Sequence, residues 1–80
     1  MESEEYSIGA SIKAVLAEQE RSEAWLARKV YCDPGNFNRM LRKRSIDIDV
    51  LRRISLALGH NFVMEYAQMV EQQMQELLLK

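Results

Sequence analysis

The sequence predicts an all-α fold of five helices around one small core, with the last helix the longest. Three observations predict it. Apolar residues recur three and four positions apart in each of five stretches, the spacing that gathers them on one side of a helix. The stretches are separated by helix-starting and helix-stopping residues: Ser7, Ser22, Asp33-Pro34, Asp47, Gly59 and Asn61. Eighty residues with a 48% hydrophobic share suit a single domain with one core.

In chain order, Met1 to Tyr6 reads as an acidic tail. Ser7 is placed to cap a first helix to about Gln19, with Ile8, Ile12, Val15 and Leu16 on one stripe. This helix is expected to close the core behind the next two. Gly9 inside it costs about 1 kcal/mol against alanine, which implies a close approach there. After a connection over Glu18 to Ser22, Ser22 caps a second helix that buries Leu26, Ala27 and Val30. The pattern breaks at Tyr31-Cys32. Asp33 as N-cap and Pro34 as first helical residue restart it, burying Phe37, Met40 and Leu41. Asp47 caps a fourth helix with Ile48, Leu51, Ile54 and Leu58 on its core face, and Gly59 stops it. Asn61 caps the last helix, Phe62 to Leu79, which holds neither glycine nor proline.

Two short helices across a tight turn, residues 22–44, form a helix-turn-helix, a unit that commonly lays its second helix in the DNA major groove. The second helix, 34–44, buries Phe37 and Leu41 on one side. Gly35, Arg39 and Arg42 fall opposite, flanked by Asn36, Asn38 and Lys43. That face carries amides and cations and no acid. Arginine can donate two bonds to guanine and asparagine can pair with adenine, so Asn36, Asn38 and Arg39 are the candidate base contacts. Ser22, Arg42, Lys43, Arg44 and Ser45 are the candidate phosphate contacts. The bland alternative is a solvated polar face on a core helix.

The stretch resembles the lambda-repressor-like helix-turn-helix family of bacteria and phages, the Cro/C1 or XRE type. The resemblance rests on Leu26-Ala27-Arg28-Lys29, on Phe37 with Met40, and on Leu51, Ile54 and Ala57-Leu58-Gly59, and covers about Ile8 to Phe62. It implies a compact helical domain that binds duplex DNA, usually as a dimer on a two-fold site, to regulate transcription. Some positions depart from the family pattern. Tyr31 stands where the turn usually has glycine. Glu23 stands where a phosphate-holding glutamine is common. Pro34 and Gly35 open the recognition helix without base-reading side chains. The third base-reading position falls on Arg39.

The last helix carries an apolar stripe through Val63, Ala67, Val70, Met74 and Leu77. About 18 residues span about 27 Å, too long to bury on so small a body. A leftover stripe implies a partner, and Val63, Val70 and Leu77 are spaced by sevens. The expectation is a domain over 1–61 and a dimerisation helix over 62–80, with Val63, Val70, Met74 and Leu77 at a homodimer interface. Folding back on the domain is the alternative.

Net charge is −1, but its distribution is uneven. Residues 1–20 hold five glutamates and one lysine, and residues 21–53 hold nine Lys/Arg against four Asp/Glu. The basic charge therefore sits in the segment expected to meet phosphates, and local field rather than total charge steers DNA. No run is long enough for a membrane span, and MESEEYS lacks a signal-peptide core. The single cysteine, Cys32, reads as an inert thiol and fits a reducing cytoplasm. His60 alone completes no metal set. No catalytic motif, cofactor or small-molecule ligand is implied. Trp25 reads as a boundary residue against a neighbouring helix, with a partner or DNA-backbone contact as the alternative. The function expected is sequence-specific duplex DNA binding by a small transcriptional regulator. The alternative is a protein-interaction or antitoxin-like module whose helix-turn-helix is mainly scaffold.

Overall fold

A computed structural model describes residues 7–43 and 45–79. These residues form five helices: α1 (Ile8–Glu18), α2 (Glu23–Lys29), α3 (Pro34–Leu41), α4 (Ile48–Leu58) and α5 (Phe62–Leu78). The expected acidic tail, Arg44 and Lys80 lie outside the described residues. Among those described, no helix is long and apolar enough to cross a membrane.

Local sequence starts the helices as expected. Ser7 Oγ accepts from the Ala10 amide, Ser22 Oγ from Trp25, and Asn61 Oδ1 from Met64. Asp33 accepts from both Gly35 and Asn36, with Pro34 as the first helical residue. Asp47 is the exception. It holds the N-cap position of α4, yet its side chain accepts no bond from the helix. The acid that does engage at this end is Asp49. Its hydrogen bond from Arg52 holds the carboxyl below the usual carboxylate range, against slight desolvation, and the charges of Arg52 and Arg53 add to the effect. Because its folded pKa is lowered, this contribution is present above the unfolded pKa and is lost as pH falls through the folded one.

Two helices end on a left-handed residue that is not glycine. Glu20 (φ 57°) follows α1 and Tyr31 (φ 60°) follows α2. At each, the next amide reaches back to the carbonyl five residues earlier, Arg21 to Leu16 at 2.9 Å and Cys32 to Ala27 at 2.8 Å. This is the Schellman closure, whose left-handed position favours glycine because a Cβ is strained there. Tyr31 thus adopts the turn without the residue that suits it, and its side chain is 89% exposed. Tyr31→Gly is expected to stabilise the fold by about 0.5–1 kcal/mol, the relief of strain exceeding the entropy that glycine adds to the unfolded chain. Equilibrium urea unfolding would measure it, and a loss of stability would show that the ring contributes something the exposure conceals.

The core is Ile8, Ile12, Val15, Leu16, Leu26, Ala27, Val30, Phe37, Leu41, Leu51, Ile54, Leu58 and Phe62. The stripes of α1, α2 and α4 point inward as their spacing predicts, apart from Ile48, which is 63% exposed at the start of α4. Met40 is half-buried rather than buried. The helix α1 packs against both α3 and α5, α2 against α3 and α4, and α4 against α5. Gly9 explains the first of these packings. A Cβ built there would lie 1.8 Å from the carbonyl oxygen of Leu41, so the backbones of α1 and α3 meet without a side chain between them.

The helix α3 stops sooner than the 34–44 expected. Arg42 is its C-cap, and the amides of Arg42 and Lys43 reach back only three residues, to Arg39 and Met40. The last turn tightens where Leu41 meets Gly9, and the chain leaves the helix there. The start of α5 belongs to the same body. Phe62 is fully buried and Val63 packs partly against the core. The amide of Phe62 donates to Ser55 Oγ at 3.1 Å, while that hydroxyl donates to Leu51 O at 2.8 Å. The boundary at 61/62 therefore marks the start of a helix, not the edge of the packed body.

Candidate functional site

The outer surface of α3 is the candidate site. Phe37 and Leu41 seal its inner side in the core, which fixes the rotation of the helix. Gly35, Asn36, Arg39 and Arg42 consequently face solvent. The Asp33 cap and Pro34 hold the start of the helix rigid, because both the first free amides and the first φ angle are already satisfied.

Two side-chain pairs organise this surface. Arg39 Nη2 donates to Asn36 Oδ1, one turn earlier. Arg42 Nη2 donates to Asn38 Oδ1 at 2.7 Å. In each, an arginine and an amide lie side by side with N–H donors left over, since a guanidinium has five donors and each pair uses one. Arg39 and Asn36 are both exposed and form a unit that can meet a base edge.

Asn38 differs from the expectation. It is half-buried, and its Nδ2 donates to Glu23 Oε1 on α2 at 2.8 Å. With Oδ1 accepting from Arg42, both ends of the amide are engaged, and one N–H and one lone pair are left over for a base. Sequence reading missed this because Glu23 is fifteen positions away and belongs to another helix. Glu23 is also not the bare repelling charge its position suggests, for Lys13 Nζ of α1 stands 3.8 Å from its other oxygen.

The candidate phosphate contacts lie at the start of α2, at the end of α3 and just beyond it. Ser22 Oγ accepts the Trp25 amide, which leaves its own proton available to donate. Arg42 and Lys43 are exposed at the end of α3, and Ser45 is exposed beyond it. Arg44 lies outside the described residues. Arg52 and Arg53 are occupied by Asp49, at 2.9 and 3.1 Å. Trp25 is a half-buried boundary residue that packs on the core, with the Arg21 guanidinium 4.2 Å and the Lys29 ammonium 5.5 Å from the ring centroid. Its ring face is thus used by cations, Lys29 from one turn on in α2 and Arg21 from the connection before the helix. Cys32 is half-buried against the core.

The four candidate dimer residues divide. Val63 packs on its own domain, whereas exposure rises along α5 from 37% at Val70 to 53% at Met74 and 71% at Leu77. Compared with models of protein families, with curated proteins and with solved structures, the chain matches none of them.

Proposed function

We propose that this chain is a small lambda-repressor-like helix-turn-helix protein that binds duplex DNA and regulates transcription in the cytoplasm, acting as a homodimer through α5. The observation that carries the reading is the exposed Asn36–Arg39 pair on a helix whose opposite side is locked in the core. A rigid helix presenting an arginine and an amide matches the donor and acceptor pattern of a base-pair edge. Arg42 and Lys43 follow this pair at the end of α3, Ser22 at the start of α2 and Ser45 beyond α3 are further phosphate-seeking groups, and Arg44 adds a cation between Lys43 and Ser45 in the sequence. Base discrimination rests on Arg39 and Asn36, with Asn38 held back by Glu23.

Selection of duplexes from a random library at about physiological salt tests the reading. An enriched palindromic motif is expected. Arg39→Ala should cost about 1–3 kcal/mol on that motif and relax one position of it. Lys43→Ala should instead weaken all duplexes alike and lower the salt slope by about one. Equal losses for Arg39→Ala on the motif and on random DNA would remove the base-reading role.

A second reading draws support from the Glu23–Asn38 bond and from Pro34 and Gly35, which offer no side chain that reads a base. In it the two helices are scaffold and the protein is an interaction or antitoxin-like module. Absence of binding to any duplex at low salt would favour it.

A further inference from the structure

A line of polar side chains crosses three helices and ends on the outer surface of α3. Lys13 Nζ of α1 stands 3.8 Å from Glu23 Oε2 on α2. Glu23 Oε1 accepts from Asn38 Nδ2 at 2.8 Å, and Asn38 Oδ1 accepts from Arg42 Nη2 at 2.7 Å. The line has a direction. A carboxylate only accepts and a guanidinium only donates, so a single orientation of the amide serves both neighbours. Turned over, Asn38 would set its oxygen against the carboxylate and its N–H groups against the guanidinium. Glu23 therefore fixes the amide, and the amide fixes an acceptor for Arg42. Glu23 and Asn38 are half-buried and Arg42 is exposed, so the line runs from the packed body out to a cation in solvent.

We propose that Arg42 reads a guanine beside the base pair met by Arg39, and that Glu23 is the positioning residue that holds it ready, acting through Asn38. The inference rests on the DNA-binding reading above and adds Arg42 to the discrimination given there to Arg39 and Asn36. Two features carry it. The first is place. At about 100° per residue, Arg39 lies opposite the buried Phe37 and Leu41, with Asn36 and Arg42 about 60° to either side of it. Arg42 is thus as close to the crest of the helix as Asn36. It follows Arg39 by about 4.5 Å along the axis, near the step of about 3.4 Å between base pairs. The second feature is the tether. A phosphate contact needs only a nearby charge, whereas two bonds to guanine O6 and N7 need the guanidinium fork at a set angle. An arginine loose in solvent loses rotamer freedom on meeting DNA, and one already held loses less. Arg39 is held by Asn36 in the same manner, so two Arg–Asn pairs stand side by side. Lys13 beside Glu23 offsets the repulsion that a carboxylate near DNA would otherwise bring.

The test is binding to the motif enriched by the wild-type protein and to its single-base variants, at about physiological salt. Arg42→Ala should relax one position, next to that relaxed by Arg39→Ala, and lower discrimination there about tenfold. Asn38→Ala and Glu23→Ala should relax the same position. Combining the two should relax it no further than Asn38→Ala does alone, because Glu23 acts through the amide. Melting midpoints near that of the wild type are expected, since none of the three residues belongs to the core. Uniform weakening of all duplexes by Arg42→Ala would return Arg42 to the phosphates and overturn the proposal. Uniform tightening by Glu23→Ala, with every position still read, would make Glu23 a repelling charge alone and also overturn it. In both cases a position-specific loss for Arg39→Ala would leave the DNA-binding reading standing. Failure of the wild-type protein to enrich any motif would remove that reading and this proposal together.

Discussion

Phe62→Ala is expected to remove about 3–5 kcal/mol of stability, the usual loss for a fully buried phenylalanine. A domain of this size has only about 4–12 kcal/mol in total, so most of the native population is at stake. Phe62 is buried without residual exposure, and its ring lies 4.5 Å from that of His60. It is also the hinge of the connection between α4 and α5. Its amide is held by Ser55, and Glu65, one turn on, is bonded to Ser11 of α1 and stands 3.0 Å from His60 Nε2. Loss of the ring would therefore loosen α5 along with the core. In thermal melts the midpoint should fall by about 12 °C or more. Leu79→Ala is the control, because Leu79 is 87% exposed and should leave the midpoint nearly unchanged. A fall below about 4 °C for Phe62→Ala would mean that α5 is an appendage rather than part of the domain.

Gly9→Ala is expected to destabilise the protein although alanine is the better helix former by about 1 kcal/mol. The new methyl carbon would meet Leu41 O at 1.8 Å and Leu41 C at 2.8 Å, both backbone atoms that no rotamer change can move. The helices α1 and α3 must separate, which opens the core at Ile12 and Phe37. Overpacking of this kind costs about 1–3 kcal/mol and can cost more when backbone must shift. A net loss of about 2 kcal/mol is the expected reading in urea unfolding. On the proposed function, in which α3 presents Asn36 and Arg39 to DNA, the same variant should weaken duplex binding even where it remains folded. Unchanged or increased stability would show that α1 does not rest on α3 as described.

Helix by helix, much of this was legible before folding was considered. Ser7, Ser22, Asp33-Pro34 and Asn61 cap the helices that their side chains announce, since capping needs only a short polar group and amides two or three residues away. The inward stripes of α1 and α2 followed from spacing alone. Asp47 and Ile48 did not follow. Asp47 had the right residue type and position, yet its carboxylate caps nothing. Ile48 had the right spacing, but a helix end projects past the core, so spacing gives the direction of a side chain and not whether anything lies there. Within the candidate site, Arg39 and Asn36 share the exposed face as read. The bond from Asn38 to Glu23 was not legible, because that partner comes from another helix.

Sequence by itself determined the helices, their order and the concentration of basic charge in the middle of the chain, because propensity, caps and periodicity act within a few residues. It also flagged Gly9, since an unfavourable residue inside a helix needs a reason. Tertiary structure alone decided what that reason was, the carbonyl of Leu41. It decided that Glu23 holds Asn38, and that Val63 packs against the core while Leu77 stands in solvent. Each of these depends on distances between residues remote in sequence, which only the packing of one helix on another sets.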